Sequence, residues 1–333
     1  MKRNQMLRKN LFAFLNLMCL SHILRWQKKN TITVLSLHKI SCERNYFWDP
    51  ISPSTFEKLL QYIARYYSVI SFSDIASIQK KPAPKPYAIL SFDDGYFDFY
   101  EYALPLLKKY NLPCNHNIVN ECASNNEIIW TERLNSIFNY CKGQGENLCF
   151  TITGKEISIE GFNWNWMKFY LNIYNLLLNI PKAERLQVLL EQEEKFKIRP
   201  RCTMMNWKQI NECAQNLVEI GCHTYSHDSL STITDEKVLQ EEIIYSINEI
   251  ENKLGKKITI LALPNGESNP DITKVLSSSN LKYLLFTGDK INKLVVPGDN
   301  QINNIYRINM VEESYAEMVL RMELFHTKMR KYA

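Results

Sequence analysis

The chain has 333 residues, of which 45% are hydrophobic and 12% aromatic, so it carries enough apolar material for a large core. The net charge is only +5, and no basic stripe interleaved with aromatic residues is present, which excludes a typical nucleic-acid-binding protein. The nine cysteines contain no CxxC pair and do not form the pattern of a disulfide framework, which favours a reducing compartment.

The first thirty residues combine seven basic side chains with an apolar stretch at 11–24 and contain no acidic residue. They predict a helix packed on the core. The alternatives are a basic amphipathic helix on a membrane surface and a cleaved signal peptide, although Asn16, Ser21 and His22 interrupt the apolar run. The expected location is therefore cytoplasmic, at the inner membrane surface if the helix binds lipid, with export as the alternative.

From residue 31 onward, short β-branched runs alternate with longer helical stretches, a pattern that predicts a parallel sheet covered by helices. The predicted strands are 31–37, 68–70, 87–92, one beginning near residue 113, 218–222, 258–263, 283–287 and 304–310. The predicted helices are 53–67, 96–110, 207–218, one running from an N-cap at Thr234 to Gly255, and a closing helix from residue 312.

The alternation lapses between about residues 125 and 200. Aromatic residues there, among them Trp166 and Phe169, predict helices with a large apolar face, preceded by a hairpin around Gly154. We therefore predict an N-terminal helix at 1–30, an α/β barrel at 31–311 with a helical insertion at about 125–200, and a C-terminal helix at 312–333.

Four polar clusters directly follow predicted strands. They are His38, the turn Asp93-Asp94-Gly95, the run His223-Thr224-Tyr225-Ser226-His227, and the turn Pro264-Asn265-Gly266. In α/β barrels the carboxyl ends of the strands carry the catalytic groups, because the turns there are free of packing duty. The coincidence of four such clusters predicts an active site at this rim.

Asp93 and Asp94 are adjacent, so inside a strand they would point to opposite faces. Gly95 lets the chain turn sharply and aim both carboxylates at one pocket. One carboxylate can then bind a cation, whose charge keeps the other ionised as a base. The alternative is an exposed Asp-Asp-Gly turn, which is a common surface feature.

His223 and His227 are four residues apart and can converge on one metal ion from a helical turn. With one carboxylate, for which Asp94 is the obvious candidate, they make a three-ligand site that leaves positions open for water, as catalytic zinc requires. Zinc is the expected divalent ion, and cobalt, nickel or iron suit the same ligands. The alternative is a pair of partly exposed loop histidines.

Two of these clusters resemble the motifs of a known family. Ser91-Phe92-Asp93-Asp94-Gly95 resembles the first motif of the polysaccharide deacetylases (the NodB-homology group, carbohydrate esterase family four), and the segment from His223 to His227 resembles the second. The resemblance spans about residues 31–310 and matches the insertion only loosely. It implies a distorted (β/α)7 barrel related to the TIM barrel, a divalent metal bound by Asp94, His223 and His227, and Asp93 as the general base.

The sequence departs from the family pattern in two places. The arginine that commonly accompanies the third motif is missing from 261–265, and Arg307 is the candidate to replace it. The late histidine that supplies the general acid is also missing, since the only later one is His326 in the predicted closing helix. A branch that includes biofilm poly-N-acetylglucosamine deacetylases carries this histidine near the start of the domain. The resemblance therefore assigns the acid to His38, with a loop-anchoring histidine as the alternative.

The expected function is removal of the acetyl group from the nitrogen of an amino sugar in a poly-, oligo- or lipid-linked saccharide. Pro264, Asn265 and Tyr96 are the predicted contacts of the oxyanion or the substrate. The expected partner is an N-acetylated saccharide, and peripheral membrane contact through residues 1–30 stays open. Two other functions are also open: a carbohydrate O-acetyl esterase with the same metal site, and an inactive carbohydrate-binding relative.

Three more residues have a structural interpretation and a functional one. His116 lies between two asparagines in a predicted strand, and we expect a hydrogen-bonded core histidine rather than a fourth metal ligand. Trp130 and Trp207 could stack on sugar rings, but packing in the core is the more common role of tryptophan.

Overall fold

The computed structural model describes residues 2–17, 20–28, 30–78, 84–277, 279–294, 298 and 301–325. The helices are α1 Lys2–Leu17, α2 Leu20–Trp26, α3 Pro53–Tyr66, α4 Ile75–Ile78, α5 Leu104–Tyr110, α6 Asn120–Asn125, α7 Trp130–Gln144, α8 Trp166–Leu178, α9 Lys182–Lys195, α10 Trp207–Ala214, α11 Glu236–Gln240, α12 Ser246–Leu254, α13 Ile272–Leu276 and α14 Tyr315–Met322. The strands are β1 Thr31–Leu37, β2 Ser68–Val69, β3 Tyr87–Phe92, β4 Cys114–Ile118, β5 Cys149–Ile152, β6 Lys155–Ser158, β7 Val218–Cys222, β8 Ile260–Ala262, β9 Tyr283–Thr287, β10 Asn292–Lys293 and β11 Asn303–Asn309.

Seven parallel strands close into a barrel in the order β1, β3, β4, β7, β8, β9, β11. Closure occurs at β1, where Leu35 pairs with Leu90 of β3 on one side and with Ile308 of β11 on the other. Strand β2 extends along β3, and β10 pairs with β1 in the antiparallel sense. The predicted distorted (β/α)7 barrel is confirmed.

The barrel interior is layered, because successive side chains of a strand point to opposite faces. In its amino-terminal half, alternate strand positions pack as an apolar cluster that includes Ile32, Val34, Tyr87, Ile89, Ile260, Ala262, Tyr283, Leu285 and Ile305. Nearer the carboxyl ends, the same alternation places polar side chains inside, such as Ser91 and Arg307, which bond to each other. The apolar half fills the amino-terminal end of the barrel, and the polar half forms the floor of a cavity at the carboxyl ends of the strands.

The segment between β4 and β7 is a helical insertion with an aromatic core. It contains α6 to α9 and the hairpin β5–β6. Phe138 stacks on Phe150 at 5.8 Å between ring centroids and lies 5.2 Å from Phe169, and all three rings are fully buried. The insertion reaches the rim of the barrel through helix α8, where the Tyr170 ring stacks on Phe47 at 4.9 Å.

The N-terminal helices pack against the last helix rather than on the rim. Phe12 of α1 meets Phe325 edge-on at 6.1 Å, whereas Leu11, Phe14 and Trp26 are exposed. Among the residues that the structure describes, no helix is long and apolar enough to cross a bilayer. Contact of residues 1–30 with a membrane surface stays a prediction, and His326 lies outside the described residues.

The helix predicted from Thr234 to Gly255 differs in detail. Its N-cap is Asp235, whose side chain accepts a hydrogen bond from the backbone N of Lys237 at 2.8 Å. A carboxylate one residue later therefore caps the helix instead of the Thr234 hydroxyl. A wide helical turn at Glu241–Tyr245 interrupts the helix, which ends at Gly255 with φ of +63° as predicted.

Candidate active site

A cavity of about 440 Å³ lies at the carboxyl ends of the barrel strands. Its lining includes His38 after β1, Asp93 and Asp94 after β3, His223 and His227 after β7, and Asn265 after β8. Asp93 and Asp94 share one turn, and His223 and His227 share one loop. The lining residues therefore follow four different strands. The barrel thus brings the four predicted polar clusters to one place.

Asp94 and the two histidines form a buried cluster of possible metal ligands. The Nε2 atoms of His223 and His227 lie 3.3 and 3.4 Å from Asp94 Oδ1. The three ligand atoms are all within 4.8 Å of one another. Asp94 Oδ1 is buried and accepts no hydrogen bond from any residue in the described part of the chain. A cation between the three side chains would satisfy this oxygen.

The protonation of the two histidines also suits a cation. His223 Nδ1 donates to the carbonyl of Ala262 at 2.8 Å, which leaves the lone pair on Nε2. Burial lowers the pKa of His227 to about 4, so this imidazole is neutral. Burial also opposes a charge on His223, but the carboxylates of Asp93 and Asp94 outweigh it and raise its pKa. These carboxylates therefore stabilise positive charge at Nε2, where a metal ion would take the place of a proton. The residues therefore fit a divalent metal ion.

The backbone is strained where it presents these side chains. Asp94 has φ of +77°, His227 +60° and Asn265 +56°, values that are uncommon outside glycine. Such strain clusters at functional sites.

The predicted helical turn for the histidine pair is wrong, because residues 223–227 form a loop in which Thr224 Oγ1 accepts from the backbone N of His227 at 3.1 Å.

The two oxygens of Asp93 have different surroundings. Oδ1 accepts hydrogen bonds from Arg307 Nη1 and Asn117 Nδ2, each at 2.7 Å. Oδ2 lies 3.8 Å from His38 Nε2 and 4.0 Å from His223 Nε2. Burial alone would raise the pKa of Asp93, but Arg307 and His223 lower it below its usual range. Asp93 is therefore an ionised carboxylate with one oxygen held and the other beside the histidines.

His38 occupies the side of the cavity next to Asp93. Its side chain is 25% exposed and meets the Trp48 ring edge-on at 5.3 Å. It is the least buried of the titratable side chains in the predicted site, so solvent and a substrate in the cavity can reach it.

The three predicted contacts of the oxyanion or the substrate differ in their placement. Asn265 lines the cavity, whereas Pro264 is buried beside it and has no N–H to donate. Tyr96 is 1% exposed, and its hydroxyl donates to Glu132 Oε1 at 3.3 Å. The Tyr96 side chain packs between the barrel and the insertion and is not part of the cavity lining, which corrects the prediction.

His116 is a core residue without the hydrogen bond that we expected. Neither ring nitrogen has a partner among the described residues, and the ring packs 4.2 Å from Phe99. Burial lowers the pKa of His116 to about 4, so the ring is neutral. It is not among the clustered metal ligands.

Sequence reasoning missed Asn117 and the aromatic wall of the cavity. Asn115 and Asn117 alternate within a buried strand, and this two-residue period could have indicated polar side chains inside the barrel. The wall consists of Phe47, Trp48, Tyr170 and Tyr174. It had no sequence signal, because it depends on how the insertion lies over the rim.

Comparisons with known proteins agree with this geometry. The family model described as polysaccharide deacetylase matches residues 183–284, which include both histidines of the cluster. No protein with a curated description matches the chain.

Several solved structures share the fold. The Streptococcus pyogenes deacetylase PplD, solved in complex with acetate, has a TM-score of 0.59 at 17% identity, covering 89% of this chain and 99% of its own. IcaB from Ammonifex degensii has 0.56 at 16% identity, covering 89% and 98%. A de-N-acetylase from Aggregatibacter actinomycetemcomitans has 0.50 at 19% identity, covering 84% and 95%. The chain thus combines a match to the polysaccharide deacetylase model over residues 183–284 with the barrel fold of these solved structures and a cluster of possible metal ligands.

Proposed function

We propose that the chain hydrolyses the N-acetyl group of an amino sugar in a poly-, oligo- or lipid-linked saccharide and releases acetate. The observation that carries this proposal is the arrangement of Asp93, whose Oδ1 is fixed by two donors while Oδ2 lies beside the His223 end of the ligand cluster. A carboxylate in this position can accept a proton from a water molecule bound in the cavity.

The ligand cluster prepares the attack. A divalent cation held by Asp94, His223 and His227, for which we propose zinc, would lower the pKa of a water molecule and polarise the acetyl carbonyl. Asp93 Oδ2 takes the proton from the attacking water, while Arg307 keeps this carboxylate ionised and oriented. The turn at Asn265 offers a backbone N–H to the oxyanion that develops on the carbonyl oxygen.

His38 completes the reaction by donating a proton to the departing nitrogen. Amide hydrolysis needs this acid, because an amine anion is a very poor leaving group. An ester depends on it less, since an alkoxide leaves more readily. The position of His38 beside Asp93 therefore supports an N-acetyl substrate over an O-acetyl one.

The test is acetate release from N-acetylglucosamine oligomers and from O-acetylated saccharides, assayed side by side with the metal content of the purified protein. We expect faster turnover of the N-acetyl substrate, loss of turnover on chelation, and recovery on addition of zinc. Turnover of the O-acetyl substrate alone would identify an esterase, and no turnover of either would indicate an inactive relative.

Asp93→Asn tests the base directly. We expect kcat to fall by about 10²- to 10⁴-fold, because the amide cannot accept the proton from water, while the metal content stays unchanged. The control is Asp74→Asn, which removes an exposed carboxylate outside the cavity and should leave kcat unchanged. Retention of full activity by Asp93→Asn would exclude this residue as the base.

A further inference from the structure

The cavity has two chemically different walls. One is aromatic and includes Tyr170 and Tyr174 of helix α8 in the insertion. The other is polar and includes Asn265 and Glu267, which follow strand β8, and Thr287, the last residue of strand β9. Such a cavity suits a sugar ring, whose faces carry C–H groups and whose edge carries hydroxyls.

The two walls are joined by one hydrogen bond. The Tyr174 hydroxyl donates to Asn265 Oδ1 at 2.6 Å. Because this bond occupies the amide oxygen, it fixes which way the Asn265 amide faces. Asn265 Nδ2 is then left buried, with no partner among the described residues. A buried donor without an acceptor costs free energy, so Nδ2 is a vacant binding group in the cavity lining.

Both partners of this bond are held before any ligand arrives. The Tyr174 ring stacks on the Trp130 ring, with centroids 5.2 Å apart and planes at 29°. The Arg185 guanidinium lies over the Trp130 ring, 4.9 Å from its centroid. On the barrel side, Gly266 lies so close to Thr287 that a Cβ atom would sit 2.0 Å from its Oγ1. The Asn265 turn therefore has little room to move.

We propose that the insertion builds a saccharide subsite in which Tyr174 positions Asn265, and Asn265 Nδ2 donates a hydrogen bond to an oxygen of the sugar that carries the acetyl group. The proposal rests on the function proposed above, since it takes an N-acetylated sugar as the ligand. Tyr174 is a positioning residue here, and its ring forms part of the surface on which the sugar lies. Trp130 is buried in the core of the insertion, where its ring stacks on Tyr174 and holds it in place.

The test measures binding in a protein that cannot turn over. In the metal-loaded Asp93→Asn background, calorimetry gives the Kd of a trimer of N-acetylglucosamine for the parent, Tyr174→Phe, Asn265→Ala and the double variant. We expect Tyr174→Phe and Asn265→Ala each to weaken binding about fivefold to tenfold, as for loss of one hydrogen bond. The double variant should be no weaker than Asn265→Ala, because Tyr174 acts through Asn265.

Tyr140→Phe is the matched control. It removes a hydroxyl from helix α7 of the same insertion, at an exposed ring that packs on Phe196 and is not part of the cavity lining. We expect no change in Kd. In the Asp93-containing enzyme, Tyr174→Phe should raise KM by a similar factor and change kcat little, a split that general loss of folding would not produce.

The outcomes separate this proposal from the proposed function. Acetate release by the parent enzyme, with the same Kd for Tyr174→Phe as for its parent, would overturn the subsite and leave the deacetylase function intact. Binding that weakens in Tyr174→Phe, without acetate release by the Asp93-containing enzyme, would support the subsite and contradict the function. Absence of saturable binding by the parent would overturn the subsite.

Discussion

Asp93 and Arg307 are opposite charges buried in the barrel interior, with 2% and 1% of their surfaces exposed. Arg307 Nη1 also lies 3.2 Å from Ser91 Oγ, so its position is fixed by two acceptors. Breaking such a buried pair is costly, because the remaining charge has no solvent to replace its partner. Arg307 thus supports both the fold of the rim and the ionisation of the base.

Arg307→Gln should lower kcat/KM at neutral pH by about 10- to 100-fold, as expected for loss of a group that orients a catalytic residue. Arg307 lowers the pKa of Asp93, so its removal raises that pKa, and the acidic limb of the pH–rate profile moves to higher pH. Arg307→Lys, which keeps the charge, should shift the limb less. A profile of Arg307→Gln that coincides with that of the wild type would contradict this role.

The surface pair of Arg321 with Glu313 provides the control. Arg321 Nε donates to Glu313 Oε2 at 2.9 Å on helix α14, and the pair is partly exposed. Arg321→Gln should leave the pH–rate profile unchanged, since this partly exposed pair lies outside the cavity and does not contact Asp93.

Residue types and spacings indicated the ligand cluster, but not the conformation that presents it. The sequence placed Asp94, His223 and His227 after separate strands, and the parallel barrel accounts for their meeting. The helical turn predicted for the histidines was wrong, because residues Thr224 and His227 adopt positive φ in a loop that tertiary contacts hold. Local propensity carries no information about such strain.

At the scale of elements, strands β4 and β7 approach closely where they support Asp93. Asn117 of β4 pairs with Gly221 of β7. A Cβ atom at position 221 would lie 2.2 Å from Asn117 Oδ1 and 3.1 Å from Asn115 Nδ2. Only glycine leaves space for these side chains, and Asn117 is one of the two donors to Asp93 Oδ1.

Gly221→Ala should therefore affect both stability and catalysis. The added methyl group must displace Asn117, at an expected cost of about 1–3 kcal/mol of unfolding free energy. The displaced amide should release Asp93 Oδ1, so kcat should fall in the protein that remains folded. Denaturant unfolding and acetate release measure the two effects.

Gly143→Ala is the matched control, because a Cβ atom at Gly143 of helix α7 meets nothing within 4 Å. Alanine is the better helix former by up to about 1 kcal/mol, so this variant should be as stable as the wild type or slightly more stable, and fully active. Equal behaviour of the Gly221 and Gly143 variants would show that the close approach of β4 and β7 is unimportant.

Elements with regular patterns were predictable, and their mutual arrangement was not. The short apolar runs at 31–37 and 87–92 predicted strands with the same bounds as β1 and β3. The loss of alternation at about 125–200 predicted a helical insertion, but not how it packs on the barrel. How Tyr174 meets Asn265 could not be predicted, since this contact joins residues 91 positions apart through the fold of the insertion.

At the scale of the whole molecule, the segment before β1 is joined to the end of helix α14 at the amino-terminal pole of the barrel. Lys28 Nζ donates to the carbonyl of Met322 at 2.6 Å and lies 3.1 Å from Glu323 Oε2. Glu323 Oε1 accepts from the hydroxyls of Tyr62 and Tyr67 at 2.8 and 2.7 Å. This cluster ties the segment before β1 to helices α3 and α14. It lies roughly the length of a seven-residue strand, about 20 Å, from the cavity at the opposite pole.

Glu323→Gln should destabilise the protein without changing the chemistry at the cavity. The substitution replaces the carboxylate beside the buried Lys28 ammonium with a neutral amide, at an expected cost of about 3 kcal/mol, which for a chain of this size lowers Tm by about 4 °C. Because the two poles are far apart, kcat measured well below Tm should equal that of the wild type. Glu313→Gln, just before the start of helix α14, removes only a partly exposed partner of Arg321 and should lower Tm far less. If kcat of Glu323→Gln instead fell in proportion to Tm, the cluster at the amino-terminal pole would be coupled to the active site, contrary to this division of the barrel into a stabilising pole and a catalytic one.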